Sequence, residues 1–216
     1  MNRSKSSGGW LREHFKDEYV KKAQAEGLRS RAAYKLEELI ARDRLLWPGS
    51  VVVDLGAAPG SWSELVQRQL AGSGRIFALD ILPMQDIAGV DFVQGDFREE
   101  SVLRELEDRL KGQKVDLVLS DLAPNMSGVA LADQIRAMAL AELALDFSRQ
   151  WLRPGGSFLV KLFQGSGFDD YLRGLRTEFS SVTIRKPKAS RARSREVYAL
   201  AAGHRAASMS SGENRA

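Results

Sequence analysis

Apolar residues in this chain fall into short runs separated by longer segments of helical periodicity. Val51-Val52-Val53-Asp54-Leu55 is rich in β-branched residues and reads as a buried strand. Comparable runs follow at Arg75–Leu79, Val90–Val93, Val115–Ser120, Ser157–Val160, Val182–Arg185 and Val197–Ala201. Helical patterns lie between them, at Trp62–Leu70, Glu100–Leu110, about 132–152 and Phe168–Phe179. Within 132–152, Leu140, Leu143, Phe147 and Trp151 recur at helical spacing and are expected to face the core. Pro154-Gly155-Gly156 reads as a turn ahead of the fifth strand. One more helix, over about 31–42 with Ser30 as its N-cap, precedes the first strand. Alternating strands and helices predict an α/β fold: a seven-stranded, mostly parallel sheet with helices on both faces. The last two strands are joined as in a hairpin, so one antiparallel strand near the edge is expected.

The first strand runs into Gly56-Ala57-Ala58-Pro59-Gly60 and a helix beginning near Ser61. Strand, glycine loop and helix N-terminus form half of a nucleotide-binding crevice. The loop lacks the G-x-G-x-x-G spacing that lets a backbone approach a pyrophosphate. A carboxylate at Asp54 repels phosphate and suits a ligand carrying a sulfonium or ammonium group, as S-adenosylmethionine does. The bland alternative is an ordinary strand-to-helix turn capped by Asp54.

Two further acids stand at strand ends. Asp80 lies 26 residues after Asp54, where an acid can bind ribose hydroxyls. Asp96 follows the third strand, where an adenine amino group needs an acceptor. Lys161 interrupts the apolar run of the fifth strand. Lys35 sits off the apolar face formed by Ala33, Leu36 and Ile40, one turn from Glu38; alone it reads as a surface ion pair.

Composition narrows the class. The chain has 216 residues, 44% of them hydrophobic, enough for one domain with a full core. It has no cysteine, no apolar run long enough to span a bilayer, and two histidines, so no disulfide framework, membrane span or metal cluster is expected. No apolar signal segment follows Met1-Asn2-Arg3-Ser4-Lys5, and a cytoplasmic location is the simple inference. Charge is unevenly distributed. Residues 51–184 carry 13 Lys and Arg against 19 Asp and Glu, whereas residues 185–195 carry six basic residues and no acid. Those six, Arg185, Lys186, Lys188, Arg191, Arg193 and Arg195, point to a polyanion such as RNA. Trp10, Phe15 and Tyr19 among Arg12, Lys16, Lys21 and Lys22 suggest either a helix packed on the body or an RNA-contacting arm. Residues 1–9 and 203–216 are expected to be disordered.

Four segments carry a family resemblance. Asp54-Leu55-Gly56-Ala57-Ala58-Pro59-Gly60, Ser120-Asp121-Leu122-Ala123-Pro124-Asn125-Met126-Ser127-Gly128, Val160-Lys161-Leu162-Phe163-Gln164-Gly165 and Ser190-Arg191-Ala192-Arg193-Ser194-Arg195-Glu196-Val197-Tyr198 resemble the RrmJ/FtsJ ribosomal RNA methyltransferases in the right order. The resemblance runs from about residue 10 to 202. It implies a Rossmann-like, class I S-adenosylmethionine-dependent methyltransferase domain over 29–202, preceded by a basic and aromatic arm over 1–28. It implies S-adenosylmethionine as cofactor, with Asp54, Gly56, Gly60, Trp62, Asp80, Asp96 and Asp121 at its site. It places a Lys-Asp-Lys-Glu tetrad on Lys35, Asp121, Lys161 and Glu196, with Lys161 as proton acceptor. It implies, as substrate, a uridine ribose 2′-oxygen in the aminoacyl-site loop of large-subunit RNA, on assembled 50S subunits. Ser61 departs from the pattern, where glycine is frequent. A monomer is the default expectation. Two other readings compete: a nicotinamide oxidoreductase, disfavoured by the missing glycine fingerprint, and a non-catalytic ribosome-assembly or RNA-binding factor. A methyltransferase acting on another RNA also fits.

Overall fold

The computed structural model describes residues 17–191 and 193–205. Helices α1 (Glu18–Ala25) and α2 (Ala32–Asp43) lead into β1 (Val51–Leu55), α3 (Ser61–Leu70), β2 (Arg75–Asp80) and β3 (Val90–Gln94). Then come α4 (Glu100–Leu110), β4 (Val115–Ser120), α5 (Ala130–Trp151), β5 (Leu152–Phe163), α6 (Phe168–Glu178), β6 (Phe179–Arg185) and β7 (Glu196–His204). The strands form one sheet in the order β3-β2-β1-β4-β5-β7-β6. Neighbours pair in parallel from β3 to β5, and β7 is antiparallel to both β5 and β6. The chain order reverses between β1 and β4, and such a reversal opens a crevice at the carboxyl ends of the strands.

Period-two alternation sorts the strand residues onto two cores. Val51, Val53 and Leu55 of β1 join α4, α5 and α6 in one cluster, with Val118, Phe158 and Val160. Val52 faces the other way, toward α2 and α3, with Leu117, Leu119, Leu159, Tyr198 and Leu200. Covering the sheet on both faces is what makes the parallel strands nearly continuous in apolar residues.

The structure revises several expected boundaries. β5 runs straight through Pro154-Gly155-Gly156 instead of starting after a turn. Val115 pairs with Leu152 and Leu117 with Ser157, so the extra residues are absorbed as an irregularity in the register, with Gly155 at a φ of 78°. Helix α5 buries Ala141, Ala144, Leu145, Phe147 and Ser148 most deeply. Leu143 and Trp151 pack only partly, and Leu140 is half-buried. Small residues at the contact let the helix axis lie close to the sheet, which a search for large apolar side chains overlooks. β7 continues to His204, whose ring packs on Phe179 at 5.3 Å, so residues 203–205 belong to the folded body and not to a tail. Ser30 accepts a hydrogen bond from the Ala32 N–H at 3.1 Å, but it stands two residues before α2 begins, and Arg31 occupies the cap position.

Trp10 and Phe15 of the predicted arm lie outside the described residues, as does Ala192 of the basic loop. Residues 17–28 pack on the body. Tyr19 meets Tyr34 at 5.7 Å, and Val20 and Ala23 are buried. No helix among the described residues is long and apolar enough to cross a membrane.

Candidate active site

Three apolar rows on the α2 face of the sheet each run out into a polar residue at the crevice. On β4 the row Leu117, Leu119 continues to Asp121, just past the strand. On β5 the residue after Leu159 on that face is Lys161. On β7, which runs the opposite way, Leu200 and Tyr198 lead back to Glu196. Lys161 and Tyr198 are direct cross-strand partners. Helix α2 lays Lys35 onto the same end of the sheet. Strand parity and one helix position thus gather four charged residues that are up to 161 positions apart in the chain.

Their contacts form two ion pairs joined by a tyrosine. Lys161 Nζ lies 2.5 Å from the Asp121 backbone oxygen and 3.1 Å from its Oδ1. Lys35 Nζ lies 2.6 Å from Glu196 Oε1. Tyr198 donates its hydroxyl proton to Asp121 Oδ1 at 2.9 Å and accepts from Lys35 Nζ at 3.3 Å. Burial first, and then the Asp121 and Glu196 charges, hold the Tyr198 hydroxyl well above its ordinary range, so it stays protonated and donating. Ser190 supplies another donor to Glu196 Oε1 at 3.0 Å. Lys35 is therefore no surface residue: its side chain is 11% exposed, and Glu38 instead accepts from the Lys188 N–H.

The glycine loop lies across the crevice from this network. Gly56 and Ala57 both donate to the Leu79 carbonyl, at 2.8 and 3.1 Å. Gly56 has a φ of 80°, and a Cβ there would stand 2.9 Å from the Leu122 nitrogen, beside Asp121. Only glycine lets the two loops approach so closely. Asp80 accepts from the Ala58 N–H of the loop at 2.9 Å with one oxygen and from the Leu82 N–H of the β2–β3 connection at 2.8 Å with the other. Arg29 clips the β2–β3 connection down. Its guanidinium donates to the carbonyls of Pro59 and Gln85, each at 3.1 Å, and of Asp86 at 3.3 Å. The carboxylates here fit a cationic adenosyl ligand better than a pyrophosphate.

Three of the residues expected at the cofactor site have protein partners of their own. The Trp62 side chain is 2% exposed, donates its indole N–H to the Ala32 carbonyl, and packs on Tyr198. The side chain anchors α3 to α2, and Trp62 stands in the first turn of α3, next to the glycine loop. Asp54 shares the α2 face of β1 by parity and lies fully buried under the loop, accepting from the Ser63 hydroxyl at 2.7 Å. Its second oxygen has no partner. Asp96 is already engaged by Arg98 at 2.5 to 3.1 Å, which lowers its pKa.

Burial, against the opposing Ser63 hydrogen bond, pushes the Asp54 carboxyl up to about 7. A folded-state pKa above the unfolded value means the native state binds the proton more tightly. This group's contribution to stability therefore falls as pH rises from about 4 to about 7. Asp54→Asn is expected to flatten that part of the stability–pH curve and to gain on the parent by at most about 4 kcal/mol above pH 8. Thermal melts from pH 4 to 8 check this, and parallel curves for the two proteins would reject it.

The six loop cations divide. Arg185 is locked in a two-pronged pair with Asp43, at 2.5 and 2.9 Å, so it fixes the end of β6 and is not offered to a ligand. Lys186 donates to the carbonyls of Ser194 and Glu196, tightening the loop, and Arg191 lies 3.5 Å from Asp17. Lys188, Arg193 and Arg195 are exposed. The loop ends in Glu196, so the cations and the network share one short segment.

Sequence reasoning missed Tyr198, Ser190 and Arg29. Tyr198 was within reach, because a residue two positions after Glu196 in a strand shares its face. Arg29 left no local signal, since its partners lie 30 to 57 positions away.

Comparison with known proteins gives the family. Residues 28–204 match the FtsJ-like methyltransferase family. The chain is 66% identical over 204 residues to the ribosomal RNA large subunit methyltransferase E of Stenotrophomonas maltophilia (strain K279a), covering 94% of this chain and 97% of that one. The protein of the same name from Xanthomonas euvesicatoria pv. vesicatoria (strain 85-10) is 64% identical with the same coverage. A solved structure from Plasmodium falciparum, described as a ribosomal RNA methyltransferase, superimposes with a TM-score of 0.74 at 30% identity, covering 82% of this chain and 98% of that one. The Rossmann-like sheet, the glycine loop at its reversal point and the match over 28–204 together make this chain a member of the FtsJ-like methyltransferase family.

Proposed function

We propose that the protein methylates a ribose 2′-oxygen of a uridine in large-subunit ribosomal RNA, in the aminoacyl-site loop, acting as a monomer on the 50S subunit in the cytoplasm. The observation that carries the reading is the Lys161 amine held by Asp121 at the crevice and joined through Tyr198 to Lys35 and Glu196. The names of the relatives supply the RNA; the resemblance supplies the nucleotide and the assembled particle.

S-adenosylmethionine, when bound, supplies an electrophilic methyl group on sulfur. Asp80, the loop of Gly56 and Gly60, and Asp121 are the residues placed to hold it, with Asp96 available if Arg98 shifts. The protein's own task is to orient a ribose hydroxyl and take its proton, since an alcohol is a weak nucleophile until deprotonated. A neutral lysine amine has two N–H donors and one lone pair. Asp121 offers two acceptors to Lys161, its backbone oxygen and Oδ1, and these orient the nitrogen through which a proton would be taken. Lys35 and Glu196 neutralise each other, and through Tyr198 they fix the Asp121 carboxylate. The exposed cations of residues 186–195 hold phosphates next to the network.

The test is to incubate the protein with methyl-labelled S-adenosylmethionine and undermethylated 50S subunits, then map the label. Ribose label on a uridine supports the reading. Base label, or label only on free RNA or transfer RNA, replaces the substrate, and RNA binding without label favours an assembly factor. A second expectation concerns the loop. Lys188→Ala/Arg195→Ala should reduce the slope of log affinity against log salt by roughly 1.4 to 1.8, two phosphate contacts' worth. An unchanged slope in a salt titration removes these two from the RNA site.

A further inference from the structure

Four large apolar side chains stand in solvent at one place in the fold. Met126 is 64% exposed, Val129 61%, Leu131 63% and Ile135 60%. They occupy the loop after Asp121 and the first two turns of α5, and Leu131 and Ile135 share a helix face at i, i+4 spacing. Single exposed apolar residues are ordinary, but a group of this size in one segment marks a contact surface.

The segment is also built. Asp133, 4% exposed, accepts from the Ser127 N–H and hydroxyl, each at 2.8 Å, and from the Gly128 N–H at 3.0 Å, and it pairs with Arg136 at 2.6 Å. These bonds pin the loop that displays Met126 and Val129. They also hide the only carboxylate between Leu122 and Arg136. What faces outward is an apolar strip edged by the exposed Arg136, with no negative charge.

Its neighbours place it. At one end it begins at Asp121, the partner of Lys161. At the other, Gln134 Nε2 donates to the carbonyls of Phe163 and Ser166, both at 3.0 Å, and the Gln164 N–H donates to the Arg195 carbonyl at 3.0 Å. Apolar strip, β5 terminus and cationic loop are thus consecutive, and residues 162–168 between them carry no acid. A single RNA strand has the complementary character: phosphates along one side and apolar base faces along the other.

We propose that the strip Met126, Val129, Leu131 and Ile135 is the base-contacting half of the RNA site, taking unpaired nucleotides that flank the methylated ribose while the 186–195 loop takes their phosphates. The inference rests on the RNA methyltransferase reading, and its test reads binding separately from methyl transfer. Apolar contacts release no counterions, so they and the phosphate contacts respond differently to salt.

Leu131→Ser/Ile135→Ser and Met126→Ser remove exposed groups that the fold does not need. Each is expected to weaken binding of undermethylated 50S subunits roughly fivefold to tenfold through lost apolar contact. The salt slope, the melting temperature and S-adenosylmethionine affinity should be unchanged, and Met126→Leu should restore binding. A photo-crosslinking residue at position 135 should label 23S RNA. Unchanged affinity, a loss accompanied by a flattened salt slope, or crosslinks to a ribosomal protein would each overturn the proposal. So would a parent that self-associates through the strip, with Leu131→Ser/Ile135→Ser becoming monomeric at unaltered 50S affinity. If the parent binds 50S but transfers no methyl group, the enzymatic reading fails while the binding data still judge the strip.

Discussion

Lys161→Met should lower the turnover of methyl transfer by roughly 10²- to 10⁴-fold, the usual contribution of a positioned base, while S-adenosylmethionine still binds. Methionine matches the lysine stem in length and apolar character, and the Lys161 side chain is 8% exposed, so the core around β5 should close over it. Asp121 keeps its hydrogen bond from Tyr198, which limits the damage to one unmet acceptor, a cost of about 1–3 kcal/mol. Lys161→Arg sharpens the test. It retains a cation facing Asp121 but has no accessible neutral form, so it cannot accept the hydroxyl proton. If only charge mattered, the arginine variant would work and the methionine variant would not. Proton acceptance requires both to fail. Single-turnover rates with saturating cofactor and 50S subunits, beside thermal melts of each variant, give the comparison. Turnover within fivefold of the parent in either variant removes Lys161 as the base.

The second large effect is on stability. Lys35 and Glu196 are a nearly buried pair, with side chains 11% and 14% exposed. Removing one partner of such a pair leaves a desolvated charge behind and typically costs about 3–5 kcal/mol. Lys35→Met should therefore destabilise the protein by at least about 2 kcal/mol, the shortfall reflecting the remaining Ser190 donor to Glu196. Adding Glu196→Gln should recover much of that loss, because the second change removes the stranded charge. Methyl transfer should stay low in the double variant, since Tyr198 has then lost the lysine that donates to its oxygen. A urea double-mutant cycle measures the coupling. Additive losses in stability would mean that the two residues do not act as a pair in solution.

The two arguments rest on different kinds of information. Repetition along the chain fixed the class of fold: β-branched runs at regular intervals, helical periodicity between them and a basic hairpin-like connection near the end. The same local logic located the glycine loop and the strand-end positions of Asp80 and Lys161. Where the pattern involved large apolar residues it was mostly reliable, as for Phe147 of α5, and where close packing used Ala141, Ala144 and Ser148 it missed part of the buried face of that helix. Small residues bury by proximity, and hydrophobic spacing does not register them.

Charge was less legible than position. In the sequence, Lys35 looks like half of a surface pair with Glu38, and Arg185 looks like one RNA-facing cation among six. Both are decided by partners far along the chain: Glu196, and Asp43 on α2. The side chain of Trp62, adjacent to the glycine loop, is held against Ala32 and Tyr198, partners that no local pattern announces. By itself, then, the sequence determined the alternation of elements, the reversal-point loop and the candidate chemical groups, because those depend on neighbours a few positions apart. Only the tertiary structure decided which carboxylate met which cation, that Tyr198 links the two pairs, and that Asp54 lies beneath the site. Such contacts are set by strand order, by strand parity and by where α2 lies on the sheet, between residues 40 to 161 positions apart, and no local pattern encodes that pairing.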